Sequence, residues 1–290
     1  MSNKKSTKQS GFTLVELAIV LVIIGLIVSG VLVGQDLIRA AEIRSTLSQL
    51  ERYNTSVNAF RDKYRYLPGD LGLQAATNFG FETTGRDATT NDQSDQDARL
   101  ECGQTACATI RAFGGETALF WRDLFDAELM DGNFEAADGT VAGGAGAALT
   151  PGANLNQYLP EAALSRGNYF TVFSAQGMNF YQLTGVDSID NTDGSYTLET
   201  SLSPQEAFNI DDKVDDGRPV TGVVRATDDL TDLNQGASQI SSALTPVAQA
   251  SVATGDCAHD GATTGGGAAY NTLNDDSANT PSCQMKFRFQ

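Results

Sequence analysis

The rhythm of hydrophobic and polar positions changes twice along this chain. From Leu14 to Val33 every residue is apolar apart from Glu16, Gly25, Ser29 and Gly30. A helix crossing the hydrocarbon core of a bilayer needs about 20 such residues, so the stretch predicts a membrane span. Beyond it the apolar positions thin out to a helical stripe. Ile43, Leu47, Leu50, Val57, Phe60 and Tyr64 recur at three- and four-residue steps or their sums, with Glu42, Arg44, Glu51, Arg52, Arg61, Asp62 and Lys63 between them. No proline stands between Phe12 and Leu67, and Tyr66-Leu67-Pro68-Gly69-Asp70 ends the run. The two patterns predict one helix within 12–67, transmembrane over 12–33 and amphipathic over 34–67. It would hold about 53 helical residues and reach roughly 80 Å at about 1.5 Å per residue.

The remaining pattern predicts a globular head over 68–290. Residues 71–112 read as an irregular, polar insertion, acidic at Asp87, Asp92 and Asp95. Leu119, Phe120, Leu124, Phe125 and Leu129 give a helical stripe within Glu116–Met130, and Trp121 there reads as core. The Gly/Ala-rich run from Gly139 to Gly152 predicts a loop. Alternating segments at 169–175 and 179–184 flank Gln176-Gly177-Met178 and predict a hairpin. Ser195–Leu202, Val220–Arg225 and Met285–Phe289 are further strand candidates. Ser203-Pro204-Gln205-Glu206 is a capping box with proline at the first helical position, predicting a short helix from Pro204 to about Asp212. A second insertion, 226–282, includes a Gly/Asn/Asp/Thr-rich loop. The fold class is α+β, a long amino-terminal helix packed on an antiparallel sheet.

Glu16 is the position that needs explaining. A carboxylate within a membrane span costs at least roughly 2.5–3.5 kcal/mol near its centre, which points to function and a partner. A basic leader (Lys4, Lys5, Lys8) precedes it, followed by Gly11-Phe12-Thr13-Leu14-Val15-Glu16. This arrangement resembles the leader of type IV pilin-like proteins. The resemblance implies cleavage after Gly11 by a prepilin peptidase, methylation of the new terminal Phe12, and a lollipop-shaped pilin fold. The leader would be residues 1–11. Such a cut keeps the apolar segment, unlike secretory cleavage, which removes it. Glu16 of one subunit would then pair with the Phe12 amine of a neighbour. The plain alternative is a signal anchor whose Glu16 reaches the interface, although glutamate does so less readily than lysine or arginine. Many major pilins carry a proline in the apolar half. This chain has Gly25, Gly30 and Gly34 instead, each unfavourable in a helix by about 1 kcal/mol. They mark places for local melting on assembly or for close helix packing.

Charge and cysteine content narrow the setting. The net charge is −17; without the leader's three lysines, 16 basic and 36 acidic residues leave −20. A basic nucleic-acid surface is excluded on that balance. The basic leader ahead of the span predicts a translocated head. Four cysteines suit an oxidising compartment and allow three connectivities, of which proximity favours Cys102–Cys107 and Cys257–Cys283. With one histidine, His259, and no C-x-x-C spacing, zinc has little support.

Two acidic clusters are candidates for chemistry. In Asp211-Asp212-Lys213-Val214-Asp215-Asp216-Gly217, helical spacing puts Asp211 with Asp215 and Asp212 with Asp216. Like charges so placed repel, and calcium would relieve them; a solvated helix end is the alternative. The other cluster, Asp187, Asp190, Asn191, Asp193 and Gly194, fails as an EF-hand, since Ile189 and Thr200 fall at ligand positions. No catalytic motif stands out, and the chain reads as a non-enzyme that needs no cofactor, with calcium the one candidate ion.

The leading functional reading is a structural subunit of a type IV pilus-like filament, serving adhesion, motility or DNA uptake. Its partners would be the prepilin peptidase, identical or homologous subunits and an inner-membrane assembly platform. The subunit would span the inner membrane once with a periplasmic head, then enter a surface pilus or a periplasmic pseudopilus. A type II secretion pseudopilin fits the same signal. A membrane-anchored binding protein that never polymerises is the alternative from another class. The long insertions favour a minor or specialised subunit, or an elaborated pilin.

Overall fold

A computed structural model describes residues 14–86, 94–100, 113–135, 148–175, 177–190, 194, 196–199, 201–227, 257–259, 269–272 and 281–289. The chain divides into two compact units, one up to Arg44 and one from Ser45 onward. The first helix, α1 (Leu14–Tyr64), contributes to both. Glu16 lies in its first turn, and Arg61 and Lys63 in its last, where each complements the helix dipole. Gly25, Gly30 and Gly34 do not interrupt it; a Cβ added at any of them meets nothing within 4 Å. It stops at Arg65, whose φ is +70° and whose N–H still donates to the Arg61 carbonyl at 2.9 Å. Pro68 then forbids further helix.

In the unit from Ser45, α1 presents one buried stripe: Thr46, Leu50, Tyr53, Val57, Phe60 and Tyr64. The expected Leu47 is only half-buried, and Tyr53 takes the central place. Its ring meets Trp121 at 4.9 Å, Phe170 at 5.4 Å and Tyr181 at 6.3 Å, while Tyr181 stacks on Phe289 at 4.0 Å. This one cluster ties α1 to α3 (Gly115–Asp126), β1 (Asn168–Ala175), β2 (Met178–Ile189) and β7 (Gln284–Phe289). Trp121 is fully buried, as the sequence pattern predicts. Each such aromatic contributes roughly 1.5–3 kcal/mol through burial, and edge-to-face pairs add about 0.5–1.5 kcal/mol.

The sheet has order β1-β2-β7-β4, with β3 (Tyr196–Glu199) also on β2 and β4 (Val224–Thr227) at the end, all pairs antiparallel. β1 and β2 form the expected hairpin, with Ala175 opposite Met178 and Gly177 at φ +74° in the turn. β2 is long enough to pair on its other edge first with β7 and then, past Gly185, with β3. Side-chain space is absent there, since a Cβ on Gly185 would meet the Glu199 carbonyl oxygen at 2.7 Å.

Several elements differ from expectation, α3 among them, which ends at Asp126 short of Met130. The insertion at 71–112 is not wholly irregular: α2 (Leu73–Phe79) forms in it, closed by Gly80 at φ +77°. Phe79 and Phe81 pack against Tyr64 at 5.0 and 4.9 Å, which holds the segment on α1. The capping box begins α4 as predicted, with Ser203 Oγ accepting from the Glu206 N–H at 3.3 Å and Glu206 Oε2 accepting from the Ser203 N–H at 3.0 Å. However, α4 runs Pro204–Val214, past Asp212. Strand β4 starts at Val224 rather than Val220, because Gly222 (φ +74°) turns the chain first. Within the disulfide-bounded loop, β5 (Ala258–His259) and β6 (Ala269–Tyr270) form a small ribbon. The Gly139–Gly152 loop lies outside the described residues up to position 147.

Candidate functional site

The amino-terminal element is defined by what it exposes. Every large apolar side chain from Leu14 to Ile38 is at least half exposed, with Leu14 at 87 % and Leu26 at 70 %. Soluble monomers rarely expose apolar patches beyond a few hundred Å². α1 is long and apolar enough to cross a membrane. Glu16 is exposed within its first turn, where the helix dipole favours a carboxylate. Gly11 and Phe12 lie outside the described residues.

In the head, the acidic segment at 211–216 is drawn together differently from its helical spacing. α4 ends at Val214, and Asp215 leaves helical geometry at φ −143°, ψ −121°. Asp216 therefore turns back toward Asp211 rather than pairing with Asp212. Asp211, Asp215 and Asp216 each place one carboxylate oxygen within 4.8 Å of the others, and Asp212 is not in the group. Asp215 Oδ2 accepts from the Val223 and Val224 amides, the latter at 3.2 Å. Asp216 accepts from the Arg218 N–H at 3.0 Å and the Thr221 hydroxyl at 2.6 Å. Asp211 is fully buried, and its Oδ2 accepts from the Tyr270 hydroxyl at 2.8 Å. Burial pushes the Asp211 carboxyl up to about 6; Asp216 and Asp215 add to this, while the Tyr270 hydroxyl and the Gly217 amide oppose it. Burial and then Asp211 itself push the Tyr270 hydroxyl up, so it stays protonated and donates. Beside this group Cys257 is joined to Cys283, and Asn271 N–H donates to the Cys257 carbonyl at 3.0 Å. Cys102 and Cys107 lie outside the described residues, as do Asn191 and Asp193 of the other acidic cluster.

Residues 6–32 match the family model described as the prokaryotic N-terminal methylation motif. The chain carries a type IV pilin-like prepilin signal. No curated protein and no solved structure gives a significant match. The match takes in most of the exposed apolar part of α1 and leaves the head to be read from its own geometry. This signal fits membrane anchoring and implies processing by a peptidase and assembly with other pilin-like subunits. It indicates a structural protein rather than an enzyme family.

The segment after α1 is held to α3 by a polar clasp that sequence reasoning missed. Gly69 adopts φ +90°, and a Cβ there would run into the Glu116 carbonyl, so the turn requires glycine. Its N–H donates to Asp123 Oδ2 at 2.7 Å, and Asp123 pairs with Arg86, both side chains fully buried. Arg86 also donates to the Leu71 and Glu82 carbonyls, each at 2.6 Å. Next to it, Asp70 accepts from the Gln96 and Ala98 amides at 2.6 and 2.8 Å, and Glu116 accepts from the Ser94 N–H at 2.5 Å. Asp70, Asp95 and Glu116 bring their oxygens close together, but both Asp70 oxygens are committed to amides, which makes the group a loop anchor. Burial pushes the Asp70 carboxyl up to about 6, opposed by those amides and reinforced by Asp95 and Asp97. Gly69-Asp70 after proline was the available signal; its partners lie up to 54 residues away.

Proposed function

We propose that the chain is a structural subunit of a type IV pilus-like filament. Prepilin peptidase cuts after Gly11 and methylates Phe12, and Glu16 pairs with the Phe12 amine of the next subunit. Before assembly the protein sits once across the inner membrane with its head in the periplasm; afterwards α1 lines the filament and the heads face outward. The observation that carries this reading is the prepilin signal at 6–32, which overlaps a helix whose large apolar side chains from Leu14 to Ile38 lie exposed. Lipid or neighbouring helices are the environments that suit such a surface. Lipid tails and apolar helices are equally oily, so bulk hydrophobicity does not select a packing register. A buried carboxylate with one cationic partner does.

Electron microscopy of sheared surface material, labelled with antibody to the head, tests the role of Glu16. In the Glu16→Ala chain cleavage should proceed while filaments are lost or become rare. Normal filament yield from that variant would refute the pairing. If filaments form only within the periplasm, the subunit serves a secretion pseudopilus; if none form with the native chain, it is an anchored binding protein.

A further inference from the structure

The head carries a groove and a protruding side chain that suit one another. The groove, of about 390 Å³, lies where the stretch after α3 and the stretch ending at Glu161 meet α1. Met130, Leu159 and Pro160 give it apolar walls, and Arg52, Asp131 and Glu161 line it as exposed charges. One cation against two carboxylates leaves it net negative. Both banks are pinned to α1. Gln49 Nε2 donates to the Glu161 carbonyl at 2.8 Å, and Gln49 Oε1 accepts from the Ala163 N–H at 2.8 Å. Ser56 Oγ donates to the Leu129 carbonyl at 2.7 Å. The groove is therefore preformed, which lowers the ordering cost of filling it. Its size falls in the range of specific binding pockets, about 300–1,000 Å³.

Among the described residues of the unit from Ser45, few large apolar side chains face solvent: Leu73 and Phe79 at the two ends of α2, and Val214. Phe79 is 49 % exposed, while its ring packs on Tyr64 at 5.0 Å and on Phe81 at 6.3 Å. A ring already held in place loses little freedom when it is covered, and a few anchors seated in pockets carry most of the energy of protein interfaces. Lys63 Nζ lies 4.8 Å from the centroid of the same Tyr64 ring, so a cation borders the exposed Phe79. We propose that Phe79 of one copy of the chain seats in the groove of the next copy, with Lys63 facing Asp131 and Glu161. Charge complementarity selects a second copy as the occupant: a cation-bordered ring meets a net negative groove, in a chain of net charge −17 whose heads otherwise repel. The groove lies at Gln49–Ser56 along α1 and Phe79 lies beside Tyr64, so the contact joins two different surfaces. Such a heterologous contact leaves a free groove at one end of a row and a free Phe79 at the other, and so propagates. It rests on the filament reading and adds to it the head surface that decides how one subunit docks on the next.

Carbodiimide cross-linking of sheared native filaments tests this, because it joins a lysine amine to a carboxylate only where the two touch. Beyond the leader the chain has three lysines: Lys63, Lys213 and the buried Lys286. Covalent dimers should contain Lys63 joined to Asp131 or Glu161, identified by mass spectrometry of the linked peptides. Lys63→Glu should lower filament yield several-fold, and combining it with Asp131→Lys and Glu161→Lys should recover most of that loss. Lys63 is exposed, so the Lys63→Glu head should keep its melting temperature within about 2 °C. Phe79→Ala should also lower the yield, in a head shown by circular dichroism to be folded. Native filaments that give dimers without that cross-link, or unchanged yield from Lys63→Glu, would overturn the contact and leave the filament reading standing. Absence of filaments from the native chain would overturn both.

Discussion

The two ends of α1 obey opposite rules. From Leu14 to Val33 its large apolar side chains are exposed, and one carboxylate, Glu16, stands among them. From Leu50 to Tyr64 its apolar residues are confined to a stripe and buried against a head with its own aromatic core. The first region has no tertiary core to lose, so its chemistry concerns lipid and other chains. The second region derives its stability from packing. Helix propensity alone does not distinguish them. What does is the period of the hydrophobic pattern, continuous in one and close to 3.6 in the other.

Substitutions that separate these regimes should differ most in the head. Trp121→Ala empties a fully buried site and should destabilise the head by about 3–5 kcal/mol, read from denaturant unfolding followed by tyrosine fluorescence or circular dichroism. Arg86→Ala leaves Asp123 buried without its cation and should remove a similar amount, about 3–5 kcal/mol. A shift in unfolding midpoint as small as that of a surface mutant would break the account of the clasp. Gly69→Ala forces a side chain into φ +90° against the Glu116 carbonyl and should cost more than about 1 kcal/mol.

A pH scan should give a smaller effect. Asp70 and Asp211 both have carboxyls pushed from 3.8 up to about 6, mainly by burial. A carboxyl raised on folding favours the folded chain below its unfolded value, and that contribution is lost as pH rises through about 6. In EDTA the head should therefore melt several degrees higher near pH 5 than near pH 7.5, at about 2–4 °C per kcal/mol for a chain of this size. Asp211→Asn should flatten part of that slope, whereas a slope of opposite sign would contradict the burial of these groups. The smallest effect belongs to the exposed half: Val28→Ala should move head unfolding by no more than about 0.5 kcal/mol, measured by the same denaturant curve.

How legible each region was follows from the range of its interactions. The helix α1, the β1–β2 hairpin and the start of α4 rest on neighbours within a few residues, so periodicity, Gly177 and the Ser203–Glu206 box announced them. The prepilin signal is likewise contiguous. The clasp was hidden because Arg86 and Asp123 are ordinary surface residues until the fold brings them together. The placement of Asp216 depended on where α4 stops, two residues beyond the expected end. α2 lacks a side-chain cap at its start, and aromatic contacts with Tyr64 hold its end. The β5–β6 ribbon spans only two residues per strand, too few for alternation to register.

The central claim is that the exposed half of α1 is an assembly surface released by cleavage after Gly11. Intact-mass spectrometry of the chain extracted from sheared, sedimented filaments tests it most directly. The account predicts a polypeptide that begins at methylated Phe12 and is enriched in the filament fraction. A chain that keeps its leader, or that is recovered only from the membrane fraction with none in filaments, would contradict it.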